Sequence, residues 1–339
     1  MRRWVLKAGV TDVDGMILEE VAMPVPGPGE VRVRIHAVSL NYRDQFVLTE
    51  AVPTTWRTPG RDLVPVSDGA GEIDALGDGV EAWALGDRVT PLYFRDWVSG
   101  RPRADLGFGL GSRDQDGVLT EYIVLPASRL IRAPDSLDDA GASTLPCAGL
   151  TAWSSLQGDL PLDARSRVLV LGTGGVSLMA VVLARGAGAG VIATTSQDAK
   201  RQRLQDLGVS EVINYRETPD WGQAVLERTG GVDRVVNSVG SSEMIQSIAA
   251  LGYGGEIAVS GLFSVESAVI DFASVRAKGG SIHSIAVGSA SAHAAMVRFI
   301  DEHEVKPPID RRFRFEDARD AFRAQGSPET FGKIVIDVA

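Results

Sequence analysis

A single cysteine, Cys147, stands among 339 residues, so the chain can close no internal disulfide and can build no cysteine-rich metal site. Long apolar runs are missing as well. No stretch reads as a transmembrane span, and the opening MRRWVLKAGVTD has no long apolar run before its polar residues. The expectation is therefore a cytoplasmic protein. Excess basic charge is also lacking: the formal net charge is -10, which argues against broad nucleic-acid or anionic-membrane binding. A local basic pocket for a phosphorylated ligand stays compatible with that balance.

What is present is the composition of a globular chain, 44% hydrophobic and 23% charged, long enough for two cores of ordinary domain size. The 38 glycines suit many tight turns. The first third reads as β-rich. From Val31 to Ala37, Val33 and Ile35 alternate with Arg32, Arg34 and His36, which predicts a strand with one apolar face. Gly69 to Leu76, Arg88 to Thr90 and Tyr122 to Leu125 are further strands. Ser99 to Gly117 is polar, glycine-rich and aperiodic, a loop of a length that usually serves a function.

From residue 167 the pattern changes to alternating short apolar strands and helices. Strands are expected at Arg167–Leu171, Val191–Thr194, Glu211–Asn214, Asp233–Asn237, Gly255–Ser260 and Ser281–Val287. Helices are expected at Val176–Arg185, Ala199–Leu207, Trp221–Thr229 and Glu243–Leu251, with a last one following the sixth strand and reaching about Glu302. That order predicts a parallel, doubly wound sheet. The tail returns to short strands, a helix at Phe315–Arg323 and a closing strand Lys333–Asp337, which the simplest architecture gives back to the first domain.

The strongest chemical signal is Gly172-Thr173-Gly174-Gly175-Val176-Ser177, placed between a strand and a helix. Gly172 permits the tight turn, and Gly174 lets the backbone approach a pyrophosphate. The helix behind them presents free N–H groups to its oxygens. Ser177 takes the third fingerprint position, where a small residue still allows close helix–strand packing. The turn predicts a dinucleotide site.

The end of the second strand bears on the coenzyme. A site for NAD places an acid there, to bond the ribose 2′-hydroxyl. This chain has Thr194, Thr195 and Ser196, followed by Lys200, Arg201 and Arg203. Hydroxyls and cations suit a 2′-phosphate, which points to NADP. The three cations also suit the solvated face of a surface helix.

These residues carry a resemblance. The set Ser39-Leu40-Asn41-Tyr42-Arg43-Asp44, Ser67-Asp68-Gly69-Ala70-Gly71, Asp116-Gly117 with Glu121-Tyr122, Gly149-Leu150-Thr151-Ala152-Trp153, the glycine turn, Ala277 to Gly280 and Gly332-Lys333 resembles the medium-chain dehydrogenase/reductase superfamily, in its zinc-independent quinone oxidoreductase-like branch. The resemblance covers nearly the whole chain. It implies an α/β protein with a GroES-like, partly open β-barrel domain and a Rossmann domain, the active cleft between them, and a homodimer or homotetramer. The expected division is 1–130 and 304–339 for the barrel domain and 131–303 for the Rossmann domain.

The resemblance also shows a departure. At the positions where zinc alcohol dehydrogenases hold catalytic zinc, this chain has Asn41, Ser67 and Cys147. One thiol cannot replace about three protein ligands. Ser99 to Gly117 has no cysteine for a structural zinc, and His36, His283, His293 and His303 rescue no site. Without zinc to stabilise an alkoxide, the resemblance implies reduction of quinones or α,β-unsaturated carbonyls by NADPH. It implies Asn41 and Tyr42 lining the cleft, Tyr42 either donating to the substrate oxygen or only packing the wall. Thr151 resembles the residue under the nicotinamide. Gly240, Gly261, Leu262, Phe263, Ala286, Val287 and Gly288 resemble the loops at the ribose and carboxamide, and Tyr215 resembles a residue at the adenosine end. Lys333 either approaches the nicotinamide side or is a surface lysine. Arg43 and Asp44 are expected as a structural ion pair. Two alternatives stay open: an acyl-thioester enoyl reductase with a cationic patch at Arg95, Arg101 and Arg103, or a dinucleotide-binding protein without turnover.

Overall fold

The computed structural model describes residues 1–50, 56–58, 60–113, 115–159, 161–261 and 270–338. Two compact units divide the chain: residues 1–150 with 289–339, and residues 151–288.

In the first unit, β1 (Arg2–Leu6) and β2 (Met16–Glu20) form an antiparallel pair. β3 (Glu30–Leu40) is the long central strand, and its alternation is the one read from sequence: Val31, Val33 and Ile35 are fully buried. It runs directly into α1 (Tyr42–Thr49). β4 (Asp68–Leu76), β5 (Arg88–Pro91), β6 (Tyr122–Pro126) and β7 (Leu130–Arg132) follow, then the short α2 (Asp139–Ala142). After a π-helical turn at Leu145–Gly149, α3 (Leu150–Leu156) crosses the boundary between the units.

In the second unit, β8 (Arg167–Leu171), α4 (Gly175–Gly186), β9 (Gly190–Thr195), α5 (Arg201–Asp206), β10 (Glu211–Asn214), α6 (Trp221–Thr229), β11 (Val232–Asn237), α7 (Met244–Ala250), β12 (Leu251–Val259), α8 (Phe272–Ala277) and β13 (Ser281–Ser284) succeed one another. The six strands are parallel, in the order β10-β9-β8-β11-β12-β13. Chain order therefore reverses between β8 and β11, which is the Rossmann arrangement and its switch point. Val168 to Leu171 and Val235–Val236 are buried on both faces, as a central parallel strand requires. The sixth strand ends at Ser284, short of the expected Val287, and Val287 itself adopts a left-handed backbone with φ 56°.

The chain then returns to the first unit through α9 (Ala290–His303), β14 (Ile309–Arg314), α10 (Ala318–Gln325) and β15 (Lys333–Asp337). A seven-stranded sheet results, ordered β14-β15-β3-β4-β5-β7 with β6 also on β3. All its pairings are antiparallel except β14 with β15. Its core joins Val33, Ile73, Val89 and Leu125 to Phe315, Phe322, Ile334 and Ile336 from the tail.

The unit boundaries, 150/151 and 288/289, differ from the expected 130/131 and 303/304. The physical reason lies in packing. α2 lies on β3 and β4, and α9 lies beside β7. The Ala290 and Ser291 N–H groups donate to Trp97 and Val98 carbonyls, both at 2.9 Å. A strand–helix alternation cannot show that its last helix packs on another sheet.

Candidate functional site

The glycine turn leaves β8 at the switch point. Gly172 has φ 77°, a conformation that disfavours side chains, and its N–H is held by the Thr194 carbonyl at 3.1 Å and the Thr194 hydroxyl at 3.2 Å. Gly174 caps α4 with an extended backbone, and a Cβ built there meets nothing within 4 Å. The space in front of the helix start is open, with Gly175, Val176 and Ser177 forming its first turn. Ser177 faces inward: its hydroxyl donates to the Leu171 carbonyl at 2.8 Å and lies 2.8 Å from the Ser238 hydroxyl. Ser238 also donates to Leu171, at 3.0 Å. This hydroxyl pair locks the helix start to the ends of β8 and β11, the task that close glycine packing performs elsewhere.

At the end of β9 the hydroxyls divide their roles. Thr195 is buried, and its hydroxyl accepts from the Gln197 N–H at 3.2 Å, so it shapes the bend. Ser196 is half-buried in that bend. Lys200 is 7% exposed, and its ammonium donates to the Thr173 hydroxyl at 3.1 Å, across to the glycine turn. It is thus no member of a solvated helix face. Arg201 and Arg203 differ: the Arg201 guanidinium bonds the Val212 carbonyl at 2.7 Å and Asp198 at 3.1 Å, and Arg203 is exposed.

The neighbouring strand ends collect most of the other expected residues. Tyr215 is exposed just past β10 and donates its N–H to the Thr195 carbonyl at 3.0 Å. Gly240, with φ 129°, closes the turn after β11, where the Asn237 carboxamide bonds both its N–H (2.9 Å) and its carbonyl (3.0 Å). Gly261 lies against that turn, and a Cβ on it would sit 2.2 Å from the Val239 carbonyl carbon. Ala286, Val287 and Gly288 follow β13. Leu262 and Phe263 lie outside the described residues. Thr151 is buried in α3, its carbonyl accepting from the Ser155 hydroxyl at 2.8 Å. Asn237 and Ser238 were missed in the sequence; a polar pair ending an apolar strand at the switch point was the available signal.

The first unit holds a buried polar cluster. Asn41 precedes α1, and its backbone is fixed twice. Its N–H donates to Asp44 Oδ2 at 2.8 Å, and its carbonyl accepts from the Asp44 N–H at 2.8 Å. Lys333, at the start of β15, is only 2% exposed and is therefore no surface lysine. Its ammonium donates to the Leu40 carbonyl and to Asn41 Oδ1, both at 2.6 Å. Asn41 Nδ2 lies 3.4 Å from the Ser67 hydroxyl, which donates to Asp68 Oδ1 at 2.6 Å. Asp68 Oδ2 accepts from the Cys147 N–H at 3.0 Å. Asp68 was missed as a site residue; it is a carboxylate opening a buried strand, and it organises both Ser67 and the turn of Cys147.

The electrostatics follow from burial. Burial pushes Asp44 up to about 6, opposed by Arg43. It lowers Lys333, opposed by Asp68, the Cys147 thiol and Asp44. The Cys147 thiol is pushed well up by burial, with Asp68 adding to the effect, so it is held as a neutral thiol. Arg43 and Asp44 form the expected ion pair, at 3.3 Å and buried, and Arg43 does more. It donates to the Leu110 carbonyl at 2.8 Å and stands over the rings of Trp56 and Tyr93, 5.4 Å from each, thereby anchoring the long loop. Tyr42, at the first position of α1, is 41% exposed and packs edge-on against Phe46 at 5.1 Å.

Comparison with known proteins places both units. Residues 27–135 match the alcohol dehydrogenase GroES-like domain, and residues 175–302 match the zinc-binding dehydrogenase domain. The chain is 35% identical to a zinc-type alcohol dehydrogenase-like protein of Schizosaccharomyces pombe, over 99% of each. Among solved structures, a chain from Sinorhizobium meliloti 1021, provisionally described as an alcohol dehydrogenase, is 36% identical with a TM-score of 0.89, each covered fully. An NAD-dependent alcohol dehydrogenase is 32% identical with a TM-score of 0.87, again with full coverage of both.

The zinc in those family descriptions does not fit these side chains. Zinc takes thiolate, imidazole or carboxylate donors. Here a carboxamide, a hydroxyl and a neutral thiol stand at the ligand positions, and the carboxamide oxygen already accepts from an ammonium. Among the described residues no group of three or more His, Cys, Asp and Glu side chains is arranged to hold a metal ion. A dinucleotide does fit the open space before α4. The chain belongs to the medium-chain dehydrogenase/reductase superfamily, as an NAD(P)-dependent oxidoreductase of the zinc-type alcohol dehydrogenase-like kind in which no zinc-ligand cluster is found among the described residues.

Proposed function

We propose that the protein is an NADPH-dependent, zinc-independent reductase of quinones or α,β-unsaturated carbonyls. The observation that carries this reading is the Lys333–Asn41–Ser67 chain, in which Asn41 and Ser67 stand at two of the expected ligand positions. When bound, the coenzyme supplies the hydride. A conjugated acceptor spreads the charge that hydride addition develops, so neutral hydrogen-bond donors suffice at its oxygen. Asn41 Nδ2 is one such donor, and Tyr42 is the candidate for the second donor and for the proton. An alkoxide concentrates its charge on one oxygen, and a carboxamide stabilises that less well than a metal does.

NADPH rather than NADH is favoured by Ser196 in the bend after β9, by Lys200 beside the glycine turn, and by hydroxyls where an acid would serve the ribose. The remaining assignments, Thr151, Tyr215, Gly240, Gly261 and Ala286 to Gly288, are proposed as walls of the coenzyme site. A homodimer or homotetramer is proposed with it, as the family resemblance implies. For the acyl-thioester alternative, Arg95 and Arg103 form exposed pairs with Asp96 at 2.6 Å and Asp105 at 3.0 Å, and Arg101 is exposed beside them.

The test is coenzyme-linked turnover across a panel. NADPH oxidation with 1,4-benzoquinone, a naphthoquinone or a small enone is expected, with little NADP reduction by primary alcohols. Alcohol oxidation outpacing every quinone and enone overturns the reading.

A further inference from the structure

We infer that Lys333 is a positioning residue that orients the Asn41 carboxamide so that its NH2 group, and not its oxygen, faces the substrate oxygen. This rests on the reading of Asn41 as a donor to that oxygen.

The orientation follows from donor and acceptor chemistry. An ammonium can only donate, so the Asn41 atom 2.6 Å from Lys333 Nζ has to be Oδ1. The Asn41 backbone is already held by Asp44 through its N–H and its carbonyl. With Oδ1 also taken, Nδ2 is the end of the side chain left for other work. One of its hydrogens points to the Ser67 hydroxyl at a long 3.4 Å, and Ser67 accepts there because its own proton goes to Asp68 at 2.6 Å. Nδ2 has no other partner among the described residues.

The same chain polarises the amide. A cation at Oδ1 draws electron density from the nitrogen and strengthens its N–H groups as donors. The charges facing the ammonium are Asp68 at the start of β4 and Asp44 on α1, with Arg43 beside Asp44 and the neutral Cys147 thiol nearby. Two buried carboxylates thus stand with two buried cations. No carboxylate among the described residues is within ion-pair distance of Lys333 itself, so its short bonds go to two carbonyl oxygens. A lysine serving only to neutralise would take a carboxylate as its first partner.

The experiment is a double-mutant cycle of Lys333→Met and Asn41→Ala, with NADPH affinity measured alongside turnover. Lys333→Met alone is expected to lower kcat about ten- to a hundred-fold, in the range of a displaced oxyanion donor, with NADPH affinity nearly unchanged. In the Asn41→Ala background it should cost little more, because the group it acts through is gone. An equal loss of kcat in both backgrounds overturns the proposal. Absence of NADPH-linked reduction in the wild type defeats the functional reading instead. In that case the Asn41 side-chain amide resonance, assigned by its loss in Asn41→Asp, still decides the orientation claim. A marked shift on Lys333→Met supports it, and an unmoved resonance overturns it.

Discussion

Lys200 crosses from the helical turn after β9 to the glycine turn after β8, where its ammonium donates to the Thr173 hydroxyl at 3.1 Å. A lysine 7% exposed at this junction is a fixed positive charge beside the place where β9 ends. In doubly wound folds that place adjoins the adenosine ribose.

NADPH is therefore expected to bind about ten-fold or more tightly than NADH, the size of one well-formed charge-assisted contact. Lys200→Ala should remove most of that preference while changing NADH affinity far less. Titration by intrinsic fluorescence, using the six tryptophans, measures both constants. Equal dissociation constants in the wild type, or an equal loss for both coenzymes in the variant, would place Lys200 away from a 2′-phosphate.

Gly174→Ala separates coenzyme contact from folding. The backbone there has φ -79°, which alanine adopts freely, and the added methyl meets no protein atom within 4 Å. Stability should stay within about 0.5 kcal/mol of the wild type. The methyl occupies the space assigned to the pyrophosphate, so NADH and NADPH should both weaken about ten-fold or more. Thermal unfolding without coenzyme, and titration with each, give the two readouts. Unchanged affinity for both coenzymes contradicts the placement.

His293 supplies a pH prediction. It is fully buried on α9, neither ring nitrogen has a hydrogen-bond partner, and burial pushes it down to about 4. Between that value and its ordinary pKa of about 6.5, the unfolded chain holds a proton that the folded chain does not. Stability from this residue is thus complete above about pH 6.5 and is lost as pH falls toward 4, by about 2 kcal/mol between pH 7.5 and pH 5. His293→Leu removes the titration and the two unsatisfied nitrogens. Urea unfolding at pH 7.5 and pH 5 should show the variant gaining on the wild type at the lower pH. A gain no larger at pH 5 than at pH 7.5 would mean the imidazole is charged or hydrated in the fold.

Much of this architecture was legible in one dimension, and the exceptions share a cause. The alternation around Val33 and the strand–turn–helix at Gly172 each depend on neighbours in sequence, and both stand where expected. His36 lies on the polar face of β3, as the alternation predicts. Its partner, Asp139 at 2.7 Å, lies 103 residues away, and no local pattern reveals it. Lys333 had two readings because a lysine before an apolar strand looks the same whether buried or exposed. The Leu40 and Asn41 oxygens that decide it come from the distant end of β3. α9 followed the alternation of the second unit yet packs in the first, since periodicity sets which face is apolar and not which sheet receives it. The polar residues at the candidate site were visible as types. Their pairing was not, because it is made by strands that meet only in the fold.

The central claim is hydride transfer to a conjugated acceptor without zinc, and its most direct test is turnover of metal-stripped protein. Protein dialysed against a strong chelator, with its metal content established by elemental analysis, is assayed with NADPH and a quinone or enone, before and after added zinc. The account predicts well under one zinc per chain, an undiminished kcat after chelation, and no gain on adding zinc. About one zinc per chain, with activity lost on chelation and restored by the metal, would contradict it.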